Sequence, residues 1–194
     1  MLSMPDTLEN QQRWPQSSGQ KPGLGFPLLK MVALFSLENG GLTDYATGNL
    51  HQHESSLFRC LWPQLDPGDI VLGDRAFCSY GSLAMLQAQG NDGVFRLHQK
   101  RRIDFREGKR LGADDRLLVW SKPEQRPAGL TPEQYAALPA TLEVRMVRLE
   151  VAATGFRSQS VTLVTTLTDA ETYPAETLRE LYGRRWQVEP NGVR

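Results

Sequence analysis

Three side chains near the carboxyl-terminal end of the chain have types and a spacing that could form a chemical site. They are Tyr182, Arg185 and Glu189. On an α-helix, which turns by about 100° per residue, the three lie within an arc of roughly 60°. A phenol, a guanidinium and a carboxylate on one face are more typical of a site than of a solvated surface. The alternative is a surface ion pair at a helix end, and the spacing alone does not decide between the two.

A second carboxylate follows a short apolar segment in the middle of the chain. Residues 69–74 predict a buried strand that ends at Asp74. Because α/β folds place ligands and metals at the carboxyl ends of their strands, Asp74 is a candidate ligand. From its position alone, a turn or helix-capping aspartate explains it equally well.

Two further groups of polar residues are candidate sites. One is the basic cluster Lys100, Arg101 and Arg102. It could contact a phosphate backbone, or it could be an exposed loop with solvated charges. The other group is His51 and His53, next to Glu54. Their spacing suits a strand whereas the segment predicts the start of a helix, so a metal role is not favoured.

The elements that must position these side chains alternate between strands and helices. A hairpin is predicted around an Asn-Gly-Gly turn, with arms at 27–37 and 42–47. Apolar periodicity and breakers then predict helix 51–65, strand 69–74, helix 79–89 and strand 93–97. This order indicates a mixed α/β sheet.

The second half of the chain differs from the first in composition. Residues 99–126 are strongly charged, and two β-rich stretches at 142–152 and 160–167 are predicted to pair. Pro174 suits the first position of a last helix that runs to about Val188. Residues 3–26 are rich in turn-forming residues and are expected to be irregular. We therefore expect a partial α/β core (1–98), a β-rich insertion (99–167) and a last helix with a tail (168–194).

Composition limits the class of protein. The 194 residues include 22 basic and 22 acidic side chains, so no overall field attracts nucleic acid. With 40% hydrophobic residues, the chain is expected to be globular. Two cysteines are too few for a disulfide framework, which favours reduced thiols and a cytoplasmic location. No apolar run is long enough to cross a membrane.

Together, the two carboxylate motifs resemble those of DDE-type bacterial insertion-sequence transposases, in the group founded by insertion sequence four. The signature of that group is Tyr, two residues, Arg, three residues, Glu, six residues, Lys. Tyr182, Arg185 and Glu189 match its first three members in type and spacing. Residues 68–77 resemble the segment that bears the second catalytic aspartate, which places that role on Asp74.

The resemblance implies a ribonuclease-H-like core interrupted by a β-rich insertion, and metal-dependent cleavage and transfer of DNA strands. It implies that Asp74 and Glu189 are catalytic residues that hold Mg²⁺ (or Mn²⁺), for which carboxylate oxygens are suitable ligands. Arg185 would hold a phosphate near the scissile bond, and Tyr182 would position the DNA end. Transposon ends, target DNA and intact transposase subunits would be the partners.

Three departures from the family pattern affect the expected activity. The first catalytic aspartate, on the opening strand, would fall before Met1, and the final lysine would fall beyond Arg194. Pro190 also disfavours helical geometry at Glu189. We therefore expect a chain truncated at both ends, without its opening strand, with a divergent tail and no nuclease activity. The alternative is a non-catalytic remnant that binds DNA or transposase subunits and interferes with intact transposase.

Overall fold

The structure is a computed structural model that describes residues 1–21, 23–98, 104–151 and 159–188. The chain divides into two compact units, Met1–Leu65 and Asp66–Arg194, which are described separately below. Among the described residues, no helix combines the length and the apolar character that a membrane crossing requires.

The first unit contains a three-stranded antiparallel sheet. Its strands are β1 (Leu2–Ser3), β2 (Leu28–Phe35) and β3 (Leu42–Gly48), in the order β1-β2-β3. The hairpin predicted from the Asn-Gly-Gly turn is therefore confirmed. At that turn, Gly40 has a positive φ of 71°, and the Asn39 side chain accepts a hydrogen bond of 2.7 Å from the backbone N–H of Gly41. Glycine adopts this conformation without steric cost.

The helices of the first unit correct two expectations. The segment 3–26 is not wholly irregular, because β1 ends at its first residue and helix α1 (Leu8–Arg13) lies within it. Thr7 caps α1 by accepting a hydrogen bond of 3.2 Å from the backbone N–H of Asn10. The helix expected at 51–65 is shorter, comprising α2 (Glu54–Cys60) and then a single 3₁₀ turn, Trp62–Gln64. Pro63 explains the break, since it cannot donate to the preceding turn.

The second unit is built on a six-stranded mixed sheet. Its strands are β4 (Ile70–Gly73), β5 (Asp92–Arg96), β6 (Lys109–Gly112), β7 (Asp115–Ser121), β8 (Thr141–Val151) and β9 (Gln159–Thr165). Their order is β4-β5-β9-β8-β7-β6, with β4 and β5 parallel and the other pairs antiparallel. The predicted pairing of the two β-rich stretches is confirmed as β8 with β9. The sequence did not predict the charged strands β6 and β7 individually. Strands β8 and β9 join them to β5 and β4, so all six strands form one sheet.

Within the described residues, three helices accompany this sheet. Helix α3 (Tyr80–Ala88) was predicted with its cap, and the Ser79 hydroxyl accepts a hydrogen bond of 3.0 Å from the backbone N–H of Ser82. The short helix α4 (Pro132–Ala137) was not predicted, although Thr131 and Gln134 form a reciprocal capping box at its start. The predicted last helix is confirmed as α5 (Ala175–Val188), which begins one residue after Pro174, the residue predicted as its first position.

Helices α3 and α5 cover opposite faces of the second sheet. A Cβ atom placed on Gly93 would come within 3.0 Å of Leu83 of α3. The next residue on β5, Val94, instead belongs to a buried cluster with Leu178 and Tyr182 of α5. Because successive side chains of a strand point to opposite faces, the two helices enclose the sheet between them. The fully buried side chain of Leu178 stabilises this packing by roughly 1.5–3 kcal/mol.

Candidate functional site

The candidate site begins with two charged residues at the ends of neighbouring parallel strands. Strands β4 and β5 pair with Gly73 opposite Phe95, so Asp74 and Arg96 occupy the next matching positions. Ile70 and Leu72 of β4 pack against the cluster beneath α5, and Asp74 continues their alternation. Val94 places Arg96 on the same face by the same argument. Both side chains are half-buried at the α5 face of the sheet.

Helix α5 carries the aromatic and basic members of the site. Tyr182 is only 2% exposed and lies in the core cluster one turn after Leu178. Arg185, nearly one turn further along, is half-buried, and its guanidinium carbon lies 5.7 Å from the centroid of the Tyr182 ring. Because Leu178 holds the helix against the sheet, Tyr182 and Arg185 are held near the strand ends rather than in open solvent.

The pKa of Tyr182 depends on the other three side chains of the site. Burial raises the pKa of the Tyr182 phenol above its ordinary value of 10.0. The positive charges of Arg185 and Arg96 oppose this rise in pKa, and the negative charge of Asp74 adds to it. The phenol is therefore neutral at neutral pH and can donate a hydrogen bond to an anionic ligand.

Phe95 fixes the backbone that precedes Asp74. A Cβ atom on Gly73 would lie 2.5 Å from the Phe95 ring, and one on Gly93 would lie 2.4 Å from it. The ring therefore lies against both glycines, on two adjacent strands and on the sheet face opposite α5. Only residues without a side chain allow this close approach, so the glycines set the position of the strand end that carries Asp74.

The structure brings together three of the residues predicted from the sequence and adds a fourth. The charge of Asp74 acts on Tyr182, and Arg185 lies against the Tyr182 ring. Glu189 and the basic cluster of Lys100, Arg101 and Arg102 lie outside the described residues. Arg96 was missed. The sequence did place Arg96 in the predicted strand 93–97. It did not show that this strand pairs with the strand that leads to Asp74.

Carboxylate chemistry at the site fits a hard divalent cation. Asp74 is the carboxylate whose charge acts on Tyr182, and its oxygens are ligands that Mg²⁺ and Mn²⁺ accept. The described part of the chain contains no group of three histidine, cysteine or acidic side chains placed to share one ion. In particular, His51, His53 and Glu54 are all exposed and do not form such a group.

The arrangement suits the binding of a phosphate. Two guanidinium groups and a neutral phenol supply hydrogen-bond donors, and arginine pairs with phosphate through charge-assisted bonds. The adjacent carboxylate could hold a metal ion that contacts the same phosphate. Such a set of groups is useful for reactions of phosphate esters.

Comparisons with known proteins agree with this chemistry. Residues 2–191 match the family model described as "Transposase DDE domain". The chain is also similar to "Transposase InsG for insertion sequence element IS4" of Escherichia coli (strain K12), with 27% identity over 187 residues. That match covers 95% of this chain and 40% of the relative, so the chain spans about two fifths of the relative's length.

The family match extends over both strand-end residues and over α5, and so it includes each described member of the site. On the strength of this match, the chain belongs to the DDE transposase family.

Proposed function

We propose that this chain carries part of a DNA-processing site for metal-dependent cleavage and transfer of DNA strands. The observation that supports the proposal best is the meeting of Asp74, Arg96, Tyr182 and Arg185 at the carboxyl ends of β4 and β5. These groups come from three separate elements of the second unit. Charged residues on a solvated surface have no need to come together from three elements in this way.

The proposed roles follow from the chemistry of each side chain. Arg185 and Arg96 bind phosphate oxygens of the DNA, because guanidinium groups form charge-assisted hydrogen bonds with phosphate. The Tyr182 hydroxyl donates a hydrogen bond to the same backbone and so positions the DNA end. Its burial beside Leu178 limits the movement of that donor.

Asp74 and Glu189 are the proposed metal ligands. When Mg²⁺ or Mn²⁺ is bound, the metal supplies the Lewis-acid chemistry that favours attack at phosphorus. Asp74 holds its carboxylate at a rigid strand end, between Gly73 and the turn in which the Phe77 N–H donates to the Asp74 carbonyl at 3.0 Å. A ligand on a rigid element is already in place before the ion binds.

We also propose the ribonuclease-H-like architecture and its division into segments. The parallel β4–β5 pair and the helices on both faces of the sheet support such a core, with 1–98 as its first part. Residues 99–167 form the proposed β-rich insertion, and 168–194 carry the last helix and Glu189. Within this scheme β9 is shared, because it pairs with β5 on one side and β8 on the other.

The proposed partners are transposon ends and target DNA, with intact transposase subunits as a further partner and the cytoplasm as the compartment. The name of the relative identifies that protein as a transposase of an insertion sequence. Because this chain spans only 40% of that relative, these partners remain proposals for this chain.

The 194-residue polypeptide by itself is expected not to cleave DNA. The family pattern requires a first aspartate for which these residues contain no counterpart, and two carboxylates hold a pair of metal ions poorly. The test is incubation of the purified polypeptide with supercoiled plasmid and with duplex oligonucleotides, in Mg²⁺ and in Mn²⁺. We expect no nicked product. Metal-dependent nicking that Asp74→Ala abolishes would disprove the inactivity and support the site.

A non-catalytic DNA-binding remnant is the second candidate function. It is motivated by the basic cluster Lys100, Arg101 and Arg102 and by Lys109 and Arg110, both exposed on the edge strand β6. It predicts salt-dependent binding of duplex DNA that weakens when Lys100, Arg101 and Arg102 become alanine. Binding that is absent, or independent of salt, would exclude this function.

A further inference from the structure

A buried ion pair joins strands β7 and β8 on the face of the sheet that α5 covers. Arg145 of β8 is fully buried, and the side chain of Asp115 of β7 is only 8% exposed. The Arg145 Nε donates to the Asp115 Oδ1 at 2.9 Å, and its Nη2 donates to the Oδ2 at 2.5 Å. Both carboxylate oxygens are therefore engaged by one guanidinium, with the fork geometry that only arginine provides.

The third nitrogen of Arg145 points to the start of α5. Its Nη1 donates a hydrogen bond to the backbone carbonyl of Tyr173, the residue directly before Pro174. The backbone N–H of Tyr173 in turn donates to the carbonyl of Asp169 at 3.0 Å, and the hydroxyl of Thr172 donates to the Asp169 carboxylate. The connection that leads into α5 is thus a hydrogen-bonded turn attached to Arg145.

Arg145 lies on the face where α5 packs. Val147 and Leu149 of β8 belong to the same buried cluster as Leu178 and Tyr182. Since alternate residues of a strand share a face, Arg145 is on this side of the sheet too. The sheet therefore holds α5 in two ways, by apolar packing along the helix and by a charged hydrogen bond just before its first turn.

Packing alone does not account for this arrangement. Removing a guanidinium and a carboxylate from water has a large desolvation cost, and apolar residues of similar volume fill such a space at equal or better stability. What the ion pair provides and an apolar pair does not is a directed bond to one particular carbonyl. That bond fixes where α5 begins along the sheet.

We propose that Arg145, held by Asp115, is a positioning residue that sets α5 so that Tyr182 and Arg185 face Asp74 and Arg96. The inference deepens the proposed function and rests on it for the meaning of the site. The positioning of α5 by Arg145 is a property of the folded protein and does not depend on DNA.

The test is hydrogen–deuterium exchange of the backbone amides in the absence of DNA. The variant is the double substitution Asp115→Leu with Arg145→Met, which removes both buried charges together and leaves neither unpaired. We expect the amides of α5 from Leu178 onward to exchange about tenfold faster, the effect of losing one hydrogen bond to a charged group. The amides of α3, on the other face, should change by less than about threefold.

Val144→Ala is the matched control. Val144 is fully buried on the same strand, next to Arg145 but on the opposite face, and its side chain has no polar atom that could bond to Tyr173. Its truncation should speed exchange in α3 and α5 by similar factors, because it lowers global stability. Exchange in α5 of the double variant that rises no more than exchange in α3 would overturn the proposal.

A second variant decides the question if the double variant does not fold. Arg145→Lys keeps a positive charge beside Asp115, but one ammonium nitrogen cannot replace three separate guanidinium nitrogens. Faster exchange confined to α5 is expected, and an unchanged α5 in the folded lysine variant would disprove the proposal. Failure of the parent protein to bind DNA would count against the proposed function and not against this inference.

Discussion

Asp74 and Arg96 occupy matching positions at the carboxyl ends of the adjacent parallel strands β4 and β5. An acidic and a basic residue therefore occupy neighbouring positions on one face of the sheet, and the charges of both act on the Tyr182 phenol of α5. This relationship links the family signature on α5 to a second basic group that the signature does not contain. It also gives each side chain of the site a distinct, testable contribution.

DNA binding should depend on Arg96 and Arg185. Replacing either by alanine is expected to weaken binding of a duplex oligonucleotide about tenfold at low salt, and to reduce the slope of log affinity against log salt by about 1. The physical reason is the loss of one phosphate contact together with the counterions that it releases. Fluorescence anisotropy over a range of salt concentrations measures both quantities.

Arg179→Ala is the matched control for that prediction. Arg179 lies on the same helix and carries the same charge, but it is exposed and forms an ion pair with Glu176. Its removal should leave both the affinity and the salt slope within about twofold of wild type. Equal losses in all three alanine variants would show that net charge, and not the site, governs binding.

Gly73 and Gly183 should respond to alanine in opposite directions. Gly73→Ala places a methyl group 2.5 Å from the Phe95 ring and is expected to lower the free energy of unfolding by about 1–3 kcal/mol. Gly183→Ala meets no atom within 4 Å and is expected to raise it by up to about 1 kcal/mol, because alanine favours the helix. Urea denaturation measures both changes. Equal stability of the two variants would contradict the close packing of Phe95 on Gly73.

Alkaline pH should destabilise the wild-type protein more than Tyr182→Phe. Burial raises the folded-state pKa of Tyr182 above 10.0, so the folded protein keeps a proton that the unfolded chain has lost. That contribution to stability is fully present below about pH 10 and is lost as the pH rises through the folded-state pKa. The stability difference between the two proteins should therefore shift in favour of the phenylalanine variant between about pH 8 and pH 11.

Tyr80, a second buried tyrosine, does not disturb this comparison. Burial also raises its pKa, but both proteins contain it, so its effect cancels in the comparison. Urea denaturation at each pH gives the free energies. A stability difference that stays constant over the alkaline range would mean that the Tyr182 phenol is not buried as described.

Local signals made several elements predictable from the sequence. The hairpin β2–β3 followed from its Asn-Gly-Gly turn, and α3 followed from Ser79 and Gly90 at its two ends. Short-range hydrogen bonds determine such features, and the residues that form them are neighbours in the chain. Helix α1 was missed although Thr7 caps it, because glutamine and asparagine in the segment gave it the composition of a loop.

Features that depend on partners distant in the chain were not predictable. Strands β6 and β7 carry charged residues that suggest a loop, and pairing with β8 makes β7 a strand. Arg96 becomes a site residue only through the register of β4 with β5. The burial of Arg145 depends on Asp115 and on Tyr173, which lie 30 and 28 residues away.

The proposed role of Asp74 as a metal ligand is the centre of the account, and Mn²⁺-induced line broadening in the NMR spectrum tests it most directly. Millimolar Mn²⁺ should selectively broaden the backbone amide signals around Asp74 and Arg96 in the wild-type protein. Asp74→Asn should lose this broadening while it keeps its fold, since the amide is a poorer ligand for a hard cation. Broadening that is unchanged in Asp74→Asn, or that centres on the exposed His51 and His53, would contradict the account.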